Sequence, residues 1–121
     1  MSEANYPALF SRLRAILLPY ASSLNVIHDE PGNYYLETGY SEKWKKPLFF
    51  GSAIIKKNYI SFYLMPVYMF PDLLEGVSPA LKKRMQGKSC FNFKQVDEAL
   101  LSELEALARQ SFARFQQEGL V

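Results

Sequence analysis

Phe62 to Phe93 reads FYLMPVYMFPDLLEGVSPALKKRMQGKSCFNF, and the punctuation of that stretch decides the fold. Its first residues are an apolar strand, ended at Pro66 because proline has no N–H to give to a ladder. Pro71 opens a short helical turn that Gly76 stops. Ser78 before Pro79 is an N-cap followed by a first-turn proline, and Gly87 stands where a left-handed helix end belongs. Lys82, Lys83 and Arg84 fall toward that helix's C-terminus, where its dipole favours cations. Cys90 to Phe93 then returns to a strand. Strand, helical crossover and strand make an α+β unit. The stretch holds no paired carboxylates, no metal-ligand spacing and no nucleophile beside a base.

The flanking sequence extends the same unit. Leu48 to Ile55 and Tyr59 to Met65 predict a hairpin with Lys56-Lys57-Asn58 as its polar tip. Upstream, Leu24 to Asp29 and Tyr34 to Tyr40 read as strands around Glu30-Pro31-Gly32-Asn33, a sequence suited to a type II turn. A first helix is expected from Pro7 to Tyr20, with Leu9, Leu13, Ile16, Leu17 and Tyr20 on one face and Pro19 ending its regular hydrogen bonds. A last helix is expected from about Asp97 to Gln117, striped by Leu100, Leu104, Leu107, Ser111 and Phe115. The order is α-β-β-β-β-α-α-β-α. It describes one α+β domain over residues 1–121, an antiparallel sheet of about five strands with helices packed on it.

Composition bounds the class. At 121 residues, 49% apolar and 21% charged, the chain is globular and long enough to bury a core without a disulfide or structural metal. The single cysteine, Cys90, fits a reducing compartment, and neither a secretory signal nor a membrane-length apolar run is present, so a cytoplasmic location is expected. The net charge of +2 is unevenly spread. From Tyr40 to Lys94 ten lysines or arginines face three acids, whereas from Gln95 onward five acids face two arginines. A basic middle suits an anionic ligand or partner.

The run Trp44-x-x-Pro47-x-Phe49, the strand after it, the Lys-Lys tip and the next strand resemble the YdhG-like domain family. MPVY, the SPALKKRM helix and GKSCFNF extend the resemblance over nearly the whole chain, although none of these motifs is a catalytic signature. The resemblance implies a small bacterial α+β domain with an antiparallel sheet of about five strands. Most members have no assigned function, and one is described as a frataxin-like iron chaperone. An iron-handling role would want clustered carboxylates. The region matching the family is basic instead, and only Asp97, Glu98, Glu103 and Glu105 at the start of the last helix resemble such a ridge. An acidic first turn is also ordinary dipole complementation.

Other chemistry reads weakly. Gly87-Lys88-Ser89 lacks the earlier glycine of a phosphate loop, because position 82 is Lys82, and a strand rather than a helix follows it. Cys90 and His28 are each the sole residue of their type and lie on different strands, and Cys90 among apolar neighbours reads as an inert small hydrophobe. His28, Asp29 and Glu30 could contribute to a weak metal site at a turn. Basic residues among aromatics also suit single-stranded nucleic acid, but a pI of 8.6 falls short of that footprint.

Alternation in Tyr59 to Met65 is the most informative pattern for function. Ile60, Phe62 and Leu64 point one way, under the helices, and Tyr59, Ser61, Tyr63 and Met65 the other. The second set predicts a surface of rings and hydroxyls, with Tyr34 and Tyr40 extending it and Trp44, Lys45 and Lys46 at its rim. The expectation is a non-catalytic binding module without cofactor or metal, taking a small amphipathic or anionic ligand or a protein partner through Tyr59, Tyr63, Trp44 and Lys46. Nucleic acid and membrane are not expected partners, and a frataxin-like iron-handling role is the alternative.

Overall fold

The computed structural model describes residues 6–121. Helix α1 (Tyr6–Leu17) gives way at Leu18 to a tighter 3-10 stretch reaching Ser23, where Pro19 interrupts the α ladder. Strands β1 (Asn25–Glu30), β2 (Asn33–Ser41), β3 (Lys46–Ile55) and β4 (Ile60–Leu64) form a meander. The short helix α2 (Met65–Met69), a 3-10 turn (Pro71–Leu74) and α3 (Pro79–Lys82) cross over to β5 (Met85–Gln86) and β6 (Cys90–Phe93), and α4 (Glu98–Gln117) follows. The sheet is antiparallel throughout, in the order β1-β2-β3-β4-β6-β5. No helix is long and apolar enough to cross a membrane among the described residues.

Turn chemistry explains the connections. Gly32 takes φ +84° between β1 and β2, as the third position of a type II turn requires. Ser78 caps α3, its hydroxyl accepting from the Leu81 N–H at 3.2 Å. The helix stops at Lys82, however, and Gly87 does not end it. Met85 and Gln86 pair with Phe91 and Cys90, and Gly87, at φ +81°, lies in the turn of that hairpin. The sheet therefore has six strands, one more than the sequence suggested.

The helices cover one face only. Ile60, Phe62 and Leu64 are fully buried there beside Tyr34, Leu36, Phe91 and Phe93, beneath Leu9, Leu13 and Leu17 of α1 and Leu104, Leu107 and Phe115 of α4. A bulge between Phe49 and Gly51 turns both Phe50 and Gly51 toward the helices: Phe50 meets Phe112 and Phe115, and Gly51 faces Leu17. Tyr34 is 1% exposed with the Arg14 guanidinium over its ring, so it belongs to the core and does not extend the tyrosine surface. Its neighbour Tyr35 does, because alternation turns it to the opposite side, where it stacks on Phe49.

Candidate functional site

On the uncovered face, His28, Tyr35, Ser52, Tyr63 and Cys90 fall in one row across five strands. Phe49 stacks on Tyr35 at 4.7 Å and meets Tyr63 edge-on at 6.1 Å. Small polar residues lie buried between these rings. Ser52 has no hydrogen-bond partner, while the Ser61 hydroxyl and the Cys90 sulfur are 2.8 Å apart. The Cys90 thiol also donates to Asn92, which donates to Gln86. Cys90 is thus part of a polar chain and not the inert hydrophobe its apolar neighbours suggested. The Cys90 charge and hydrogen bond, with burial, raise the Tyr63 phenol above its ordinary value. His28 is four strand steps from Cys90, roughly 19 Å, so the two do not form a nucleophile and base.

A concavity lies at one end of the sheet, where the β2–β3 connection meets α2. Ser41 organises that connection: its carbonyl accepts from the Lys45 N–H at 2.7 Å and its hydroxyl from the Trp44 N–H at 3.2 Å. Buried Thr38 accepts from the Leu48 N–H at 2.9 Å and donates to the Gly39 carbonyl at 2.7 Å. Closing so short a loop leaves Lys45 at φ 62°, the left-handed region that a β-carbon disfavours. The indole of Trp44 is held outward as a result, 45% exposed.

Facing Trp44 are Tyr68, Met69 and Phe70 from α2 and its C-terminal end, with Tyr68 53% exposed. Leu120 closes the floor. It reaches the cleft because Gly119, at φ +74°, reverses the chain after α4, and the N–H groups of Leu120 and Gly119 bond back to the Phe115 and Gln116 carbonyls. The cleft encloses about 460 Å³, within the size range of small-molecule sites. Lys43 and Lys88 also line it, and neither pairs with a carboxylate among the described residues. The carboxylate that lines it, Glu118, accepts from Arg114. Arg114 is itself fixed over the Phe70 ring and shared between Asp72 and Glu118, so two lysines without a carboxylate partner outweigh the remaining acid charge above an apolar floor.

The four residues singled out in the sequence fall in four places. Trp44 lines this cleft; Lys46 starts β3, exposed, with Lys43 and Lys88 occupying the edge in its stead. Tyr63 sits on the open sheet face, and Tyr59 lines a separate cleft beside β5. Tyr68 went unnoticed, although a tyrosine following buried Val67 in a one-turn helix must point outward. Lys88 stands out in the sequence only within Gly87-Lys88-Ser89, which does not make a phosphate loop.

The acids serve the fold. Asp97 caps α4, its carboxylate accepting from the Leu100 N–H; Glu98 takes both arms of Arg12; Glu103 accepts from the Ser78 hydroxyl and N–H. Asp29 turns toward Arg14 on the helix side, while His28 and Glu30 pair with each other at 3.2 Å, so that triplet does not converge. Fold and cleft together define a two-layer α+β domain with helices on one side of an antiparallel sheet. Comparison with known protein families, with curated proteins and with solved structures finds no match.

Proposed function

We propose that this chain is a non-catalytic binding module whose ligand is a small amphipathic anion held between Trp44 and Tyr68. The observation that carries the reading is the pairing of two half-exposed aromatic rings with two unpaired lysines around an apolar floor. Rings supply stacking area at little entropic cost, and lysines supply positive potential for a carboxylate or phosphate head. A flat acid with an apolar body satisfies both. The frataxin-like alternative rests on the resemblance alone, since three of the four acids it would use are engaged: Asp97 in a cap, Glu98 in an ion pair and Glu103 in hydrogen bonds to Ser78.

Trp44 is the only tryptophan, so its emission reports directly on the cleft. Titration with a panel of aromatic and aliphatic carboxylates is expected to give a saturable change in that emission for at least one. Tyr68→Ala should weaken binding about tenfold, and Lys43→Gln or Lys88→Gln about two- to fivefold, with thermal melting unchanged. If no member of the panel saturates the signal, or if Tyr68→Ala binds as wild type does, the ligand does not sit here.

A further inference from the structure

Three cations that take no part in the ion pairs of the helix side stand together beside the short edge strand β5. Lys83 and Arg84 follow α3, Lys94 follows β6, all are exposed, and none has a carboxylate partner among the described residues. They form a ridge between two clefts. On one side Tyr59, Gln86 and Asn92 complete a cleft of about 400 Å³; on the other, a second of about 620 Å³ is lined by the same three cations. One carboxylate, Asp97, lines the larger cleft while capping α4, 3.3 Å from the Leu100 N–H, and the three cations outnumber it. Like charges gathered in excess repel one another, and an anion lying across the ridge would offset that repulsion.

The cleft also says what the anion carries. Tyr59 is half-buried, with its ring against the cleft, and the Asn92 amide donates to the Gln86 oxygen at 2.7 Å, which leaves the Gln86 NH₂ group to donate to a ligand. We infer that the cleft binds a nucleotide, its base against the Tyr59 ring and its phosphates on Lys83, Arg84 and Lys94. Base–aromatic stacking tolerates any base, and the guanidinium fork matches phosphate oxygens in a way that a bare lysine cluster does not. The overall charge of the chain is modest, but phosphate recognition depends on the local field, and here three positive charges line one groove. The phosphates belong either to a free nucleotide or to a single strand running from one cleft over the ridge into the other.

An amide NMR titration of the full chain tests this, with ADP, a short oligothymidylate, pyrophosphate and adenosine as probes. ADP or the oligonucleotide is expected to move the amides of Tyr59, Lys83, Arg84, Gln86, Asn92 and Lys94 to saturation. The Lys83→Gln, Arg84→Gln double variant should weaken that binding about tenfold, and Tyr59→Leu about tenfold for nucleotides and not at all for pyrophosphate. Tyr59→Phe should bind as wild type does, which separates stacking from a structural role. Tighter binding of ADP identifies a free nucleotide, and tighter binding of oligothymidylate a strand. The inference is overturned if no shift saturates, if the shifts gather away from β5, or if Tyr59→Leu binds ADP unchanged. An acidic peptide that competes as well as ADP would overturn it too, by reducing the site to a general anion patch.

Discussion

Among the described residues Lys45 alone carries a side chain at positive φ. Its β-carbon crowds the backbone there, and glycine would not. Lys45→Gly should therefore raise unfolding free energy by about 1 kcal/mol, read from chemical denaturation, while loosening Trp44 and broadening its emission response. Phe62 presents the opposite case, with no exposure and core neighbours on every side. Phe62→Ala should cost about 3–5 kcal/mol; a melting temperature equal to that of wild type would mean that the strand faces are reversed. The Phe62 face was legible because its alternation with Ser61 and Tyr63 leaves one choice of inward side. Tyr34 was misread although the signal was present: Leu36, two residues on, marks Tyr34 as inward and Tyr35 as outward.

At the scale of elements, the two long helices and the four-strand meander follow from periodicity and turn residues, with bounds close to those expected. The two-residue strand β5 was not legible, since two residues show no period and Gly87 suits a helix end and a hairpin turn equally. The Trp44 cleft was half-legible. Its tryptophan and basic rim are evident in the chain, but its far wall depends on α2 and on the reversal at Gly119, which no local pattern brings together. The bulge in β3 supplies the element-scale prediction. A β-carbon on Gly51 would lie 2.9 Å from the Tyr63 carbonyl oxygen, a backbone atom held in the neighbouring strand. Gly51→Ala should destabilise by about 1–3 kcal/mol, with the largest amide shifts along β3 and β4.

Across the whole molecule, three arginines tie separate elements together. Arg14 joins α1 to β1, Arg12 joins α1 to the start of α4, and Arg114 joins α4 to the Pro71 turn. Their hydrogen bonds hold Asp29, Glu98 and Asp72 below the ordinary values of 3.8 for aspartate and 4.5 for glutamate. A depressed carboxylate stabilises the fold above its unfolded value, and that stability is lost as pH falls through the folded value. Melting temperature should hold level from neutral pH to just above 4.5 and fall below it. Replacing Arg12, Arg14 and Arg114 together with glutamine should lower the plateau and flatten the acid decline, as a pH series of thermal melts would read. All three pairs are solvent-exposed, so salt should shrink the difference between variant and wild type.

The excursion from Met65 to Ser89 has a consequence for how the chain acquires its binding surfaces. The contacts of β1 through β4 join strands that follow one another, whereas β6 docks on β4 only after that excursion, pairing Phe93 with Ile60. Loop closure over a longer separation costs more entropy before any contact offsets it. The meander is accordingly expected to form first and β6 to dock late, an order that pulse-labelled amide exchange during refolding would read. Three clefts draw on β6 and its flanks: one takes Lys88 from the β5–β6 turn, a second takes Asn92 and Lys94, and the largest takes Phe93 and Lys94. A chain in which β6 has not docked therefore lacks these clefts.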